Sequence, residues 1–195
     1  MREIIVAVAV FGALYVFAAW RQHRRRTKQR FLSLALFFPT PRDLDADALR
    51  MASEAAWDFK FPRSEAATDW VVGSPPILMA KAQGFHFLVN VLDRNYFVGT
   101  SSKVVAPPPE NVPPHSGFLS VDLLATDEPR SDQEVYARSG PLIDALLTED
   151  CIALFVPPKN LLFTLDTAEH VSLVRKALRS PDVMASLEAL RTPGN

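Results

Sequence analysis

The chain has 195 residues and is 48% apolar, with 13 Phe, 3 Trp and 3 Tyr; that supply builds a core and excludes a wholly disordered chain. One cysteine excludes an internal disulfide, and sixteen prolines against seven glycines favour stiff connections. The net charge of −1 conceals an asymmetry, with six cations and no acid in residues 21–30 but 14 Lys/Arg and 21 Asp/Glu in residues 31–195, an acidic body that argues against nucleic acid as its partner.

Ile4 to Trp20 reads IIVAVAVFGALYVFAAW, without a charge or a proline. As a helix it spans about 25 Å, slightly short of the roughly 30 Å hydrocarbon core of a bilayer. Arg2 and Arg21 reach outward across the difference, and Tyr15 and Trp20 suit the interface. A basic stop-transfer block follows at once, which fits an anchor better than a cleaved signal peptide. The excess of cations after the span places the C-terminal side in the cytoplasm of a bacterial cell. Residues 1–30 are therefore expected to be one transmembrane anchor and its collar in the inner membrane. Arg21, Arg24, Arg25, Arg26, Lys28 and Arg30 are expected to lie on anionic headgroups, each contributing about 1 kcal/mol.

Residues 31–195 read as one soluble α+β domain. Phe31–Phe38 is an apolar strand stopped by Pro39 and Pro41. Asp43 offers an N-cap to a helix whose inward stripe is predicted as Leu44, Ala48, Met51/Ala52, Ala55 and Phe59. Strands follow at Trp70–Gly73, Ile77–Ala82 and Phe85–Leu92, with Ser74-Pro75-Pro76 and Gly84 as turns. Residues 101–116 hold five prolines and read as an extended loop, open to a protein partner. Phe118–Ala125 is a strand. Asp132–Leu147 is a helix with Val135, Leu142, Ile143, Leu146 and Leu147 inward. Ile152–Val156 and Leu161–Leu165 pair across Pro157-Pro158. Thr167 caps a helix to Arg179, and Ser180-Pro181 opens the last one with proline at its first position.

Three features recur in order. Phe31-Leu32-Ser33-Leu34 returns as Phe118-Leu119-Ser120-Val121, Pro41-Arg42 as Pro129-Arg130, and Pro75-Pro76 as Pro157-Pro158. The echo points to two β-α-β-β-like halves building one mostly antiparallel or mixed sheet, with helices on one face. A ligand site is then expected along the seam, near Asn90, His115 and Asp122.

The stretch His115, Ser120-Val121-Asp122-Leu123-Leu124 and Leu146-Leu147-x-x-Asp150-Cys151-x-Ala153-Leu154-Phe155-x-Pro157 resembles a bacterial family known only as a domain of unknown function. Phe87-Leu88-Val89-Asn90 and Tyr96-Phe97 are similar to it too. The resemblance covers residues 31–165. It implies a soluble α+β domain and carries no activity with it.

Cys151, His115 and Asp122 are the ingredients of a nucleophile, a base and an orienter. Their spacing matches no signature, and Cys151 opens an apolar strand, where a structural thiol is the plainer reading. The four histidines lack metal spacing, so no metal is expected, and no cofactor motif is present. Strand alternation puts Asp122 with Phe118 and Ser120 opposite Leu119, Val121 and Leu123, on a face read as solvated. His86 alternates with Phe85 and Phe87, which also places it on a solvated face. Asp93-Arg94-Asn95 is turn chemistry beside Asn90 and Tyr96, and those two, with His115 and Asp122, form the candidate ligand or partner-binding group. The resulting expectation is a membrane-anchored binding module. The alternative is a tethered hydrolase using Cys151 or Asp122.

Overall fold

The computed structural model describes residues 32–42, 44, 46–60, 70–72, 77–98 and 108–191. The span at 4–20, the collar, Asp43, Pro75-Pro76 and residues 101–107 of the proline-rich loop lie outside the described residues. Among the described residues no helix is long and apolar enough to cross a membrane.

Among the described residues seven strands form one antiparallel sheet. They are β1 (Ser33–Phe38), β2 (Trp70–Val72), β3 (Ile77–Ala82), β4 (Phe85–Leu92), β5 (Gly117–Thr126), β6 (Ala153–Val156) and β7 (Leu161–Thr164), in the order β2-β3-β4-β5-β1-β6-β7. The helices are α1 (Ala46–Trp57), α2 (Asp132–Leu146), α3 (Ala168–Leu178) and α4 (Val183–Arg191). β1 is buried along its whole length, which suits a central strand covered on both faces. The β3–β4 hairpin turns on Gln83 and Gly84, both at positive φ (52° and 84°), the twist that two-residue hairpins require.

The four helices among the described residues pack on one face of the sheet. Leu34, Leu36 and Phe38 of β1, Leu119 and Val121 of β5, and Phe87 and Val89 of β4 meet Leu49 and Trp57 of α1, Leu142 and Ile143 of α2, and Leu178 and Leu187 of α3 and α4. The inward stripe of α1 matches the predicted one in part: Leu44, Ala52 and Phe59 pack against the core, but the fully buried positions are others. Leu49, Ser53 and Trp57 are buried, whereas Ala48, Met51 and Ala55 are exposed. Trp57 sets this phase: its ring stacks on Phe87 at 5.2 Å and its Nε1 donates to the Arg138 carbonyl at 2.9 Å. Ser53 tolerates burial because its hydroxyl donates to the Leu49 carbonyl at 2.8 Å.

α2 begins at a capping box. Ser131 Oγ accepts from the Glu134 N–H while the Glu134 carboxylate accepts from the Ser131 N–H. At Gly140, α2 meets the end of α3 so closely that a Cβ would stand 2.5 Å from the Leu178 carbonyl oxygen. α4 starts at Val183 rather than at Pro181. Asp182 is its cap, accepting from the Ala185 N–H at 3.0 Å, and Ser180 instead accepts from the Asp182 N–H at 3.2 Å in the preceding turn.

The echoed segments are the two central neighbours, β1 and β5, antiparallel with Leu34 opposite Val121. Each is followed by a helix on the same face. Beyond the helices the halves diverge. After α1 come three strands, and the first of them, β2, is the outer edge; after α2 come two, and the first, β6, lies beside β1. From β2 to β3 the chain therefore runs inward from one edge, and from β6 to β7 outward to the other. Pro157–Lys159 forms a 3₁₀ turn closed by Asn160 in the left-handed region, φ 50°.

Candidate functional site

Among the described residues no helix lies on the second face of the sheet. Alternation along β1, β4 and β5 places Ser33, Asn90, Ser120 and Asp122 together there, with Ser33 opposite Asp122 and Asn90 opposite Ser120. Asp122 is 6% exposed, so the solvated face expected from the sequence is in fact closed. The segments 93–98 and 112–116 fold over it, bringing Tyr96, Phe97 and Val112 against Phe37, Phe118 and Phe155. Alternation assigns a side chain to a face, but it does not report which loops return to cover that face.

A buried carboxylate requires donors, and three strands supply them. Ser33 Oγ donates to Oδ1 at 2.6 Å, and Ser120 Oγ and Asn90 Nδ2 donate to Oδ2 at 2.9 and 3.0 Å. Burial pushes the Asp122 carboxyl above its ordinary value, while the three donors pull it back in part. The Tyr96 phenol extends this network through a bond with Ser33. It is pushed up to about 12, first by burial and then by the Asp122 charge.

His115 lies elsewhere on the same face. Its ring stacks on Phe37 at 4.1 Å, 5° from parallel. Phe37 is four residues along β1 from Ser33, about 13 Å at strand rise. Nε2 accepts from the Tyr96 N–H at 3.0 Å, and Nδ1 pairs with the Pro113 carbonyl at 3.0 Å. Those partners fix the neutral tautomer with the proton on Nδ1, and burial lowers the affinity of the ring for a second proton. Tyr96 thus bridges the face, its backbone held by His115 and its phenol by Ser33. Asn95 completes the strap as a turn residue, with Oδ1 accepting from the Phe97 N–H at 2.9 Å.

Cys151 is on the opposite face, inside the helix-side core, and 1% exposed. Its Sγ accepts from the Thr148 N–H at 3.3 Å, and burial pushes the thiol up. The sheet therefore stands between Cys151 and the pair His115 and Asp122. A thiol held protonated, away from any base, is a poor nucleophile. His86 is half-exposed at the far end of β4 and joins Lys81 around Asp127, at 2.8 and 2.9 Å. Those partners hold the Asp127 carboxyl below the usual range. Among the described residues no cluster of three His, Cys, Asp or Glu side chains could hold a metal ion.

One polar cluster escaped the sequence reading. Asp144 is 8% exposed on α2, with Arg179 at 2.7 Å and Arg175 at 3.5 Å. Arg42 and Arg175 also donate to the Leu146 and Leu147 carbonyls at 2.6 and 2.5 Å. Together they cap the C-terminal end of α2, where cations meet unpaired carbonyls and the negative end of the helix dipole. The signal available in the sequence was an acid between Ile143 and Leu146, inside the buried stripe. No family model matches the chain, and no curated protein or solved structure matches it.

Proposed function

We propose that the chain is a membrane-tethered binding domain rather than an enzyme, anchored through residues 4–20 in the inner membrane and folded on the cytoplasmic side. One observation carries the non-catalytic part: the groups best suited to chemistry are engaged by the fold itself. Asp122 is filled by three donors from its own sheet, both ring nitrogens of His115 hold backbone groups, and Cys151 is on the other face. The hydrolase reading through Cys151 or Asp122 loses its support on the same geometry. The uninterrupted apolar run and the six cations behind it support the tether and its orientation. The acidic body favours protein over nucleic acid as the partner. Of the proline-rich stretch 101–116, residues 112–116 cover the sheet; the part before them, with Pro107, Pro108 and Pro109, is the segment such a partner would take, and its composition favours a stiff, extended chain.

The test has two parts. The full chain should stay in the membrane pellet through carbonate and high-salt washes, with a C-terminal fluorescent fusion bright and an alkaline phosphatase fusion inactive. Release by salt, or the reverse fusion pattern, would contradict the tether or its orientation. Crosslinking on intact membranes should capture a protein whose yield falls when residues 101–107 are replaced by a glycine-serine segment.

A further inference from the structure

β7 ends the sheet, and among the described residues no strand lies on its outer side. The Leu165 N–H donates to the Ile152 carbonyl at 2.9 Å, so antiparallel alternation turns the peptide groups of Leu161 and Phe163 toward β6 and those of Leu162 and Thr164 outward. These outward groups open onto a groove of about 300 Å³ between β7 and the helices α3 and α4, at the lower end of the size of ligand sites. Phe163 and Val174 form its buried floor, and Leu173, 41% exposed, stands on the rim. Arg191 lines the same groove, and no acid pairs with it among the described residues. The other ionisable side chain in the lining, His170, is already paired with Asp166 at 2.5 Å.

We infer that this groove takes the C-terminal end of an extended peptide from a partner protein. The peptide adds a strand to β7 through Leu162 and Thr164, sets an apolar last side chain over Phe163 and Val174, and presents its carboxylate to Arg191. Three independent features converge on that occupant. Outward peptide groups recognise an extended backbone, the apolar floor recognises one side chain, and a cation without an acid partner among the described residues, in a domain of net negative charge, recognises an anion. The inference rests on the reading of the chain as a binding domain and names the partner chemistry and the surface.

The experiment uses the full chain in detergent micelles and pools of fluorescein-labelled hexapeptides. The pools end in Leu, Val, Ile or Phe, with a free carboxylate or an amide, and binding is read by fluorescence anisotropy. Free-acid pools should bind saturably and their amides about tenfold more weakly or worse, the effect of losing one charge-assisted contact. Arg191→Gln should remove the difference between acid and amide, and Leu173→Glu should weaken the acid pools; both positions are exposed, and circular dichroism checks that the fold is kept. Equal binding of acid and amide, no saturable binding by any pool, or an unchanged preference in Arg191→Gln overturns the inference. So does a concentration-dependent dimer dissolved by Leu173→Glu while no pool binds, which would make a second copy the occupant. If membrane crosslinking captures its partner equally well with Arg191→Gln, the binding-domain reading stands and this groove is not the place.

Discussion

The two faces of the sheet are built on different principles. The helix side is aliphatic and broad, with four helices closing on alternate residues of six strands. Its stabilisation is non-directional and scales with buried area. The other side is narrow and aromatic, closed by two irregular segments over Phe37, Phe118 and Phe155, and its order depends on particular hydrogen bonds to Asp122 and from Tyr96. Hydrophobic burial tolerates approximation, whereas a buried polar network is stabilising only when every member is satisfied. The difference implies that truncations should cost most on the helix side, and that pH should act mainly on the other.

The largest effect is expected at Leu36, fully buried on β1 between Leu119 and Leu154. Leu36→Ala should destabilise by about 2–5 kcal/mol, measured by urea unfolding of the full chain. A loss no greater than that for His115→Ala would contradict the contrast between the faces. His115→Ala should cost about 1–3 kcal/mol, because the Tyr96 N–H is left without its acceptor. That loss should be concentrated in the 93–98 segment rather than shared with the helices.

A smaller, pH-dependent effect separates the polar groups. The folded Asp122 carboxyl lies above its ordinary value of 3.8, so the folded state keeps this proton longer than the unfolded chain. In the window from that ordinary value up to the raised one, its contribution to stability falls as pH rises. His115 acts in the opposite sense: its folded value lies below 6.5, so its contribution falls as pH drops below that point. Subtracting the Asp122→Asn profile from the parent profile isolates the carboxylate. The difference should decline with rising pH, and a difference that climbs would contradict the assignment of burial as the dominant cause. The smallest effect is expected at Tyr136, whose buried hydroxyl has no partner among the described residues. Tyr136→Phe should leave stability unchanged or raise it by about 1 kcal/mol, and a clear loss would reveal a partner for that hydroxyl.

Legibility in the sequence follows the same division. The strands and helices were readable because apolar runs stop at prolines and at Gly84, and because α2 repeats its apolar residues at helical spacing. The stripe on α1 is legible only in part because spacing gives several phases of similar apolarity, and a single contact, Trp57 on Phe87, selects one. On the second face, alternation put Ser120 beside Asp122, but the partners on β1 and β4 depended on strand order, which is a long-range property. The echo held part of the answer, since its two serines, Ser33 and Ser120, both donate to Asp122. The covering strap has no periodicity to read. Sequence alone puts His115 and Asp122 in one site, yet they are separated along β1 and joined, among the described residues, through Tyr96.

On this face Asp122 is closed in by the fold's own hydrogen bonds and by the strap through Tyr96. The Tyr96 amide reports on it most directly, because its proton is held by His115 Nε2. Native-state hydrogen exchange of the full chain in micelles should find this amide protected close to the level of global unfolding, and His115→Ala should abolish that protection. Exchange of the parent amide near the rate of an unprotected backbone would show that the strap opens freely. Asp122 would then be accessible, and the catalytic reading would return.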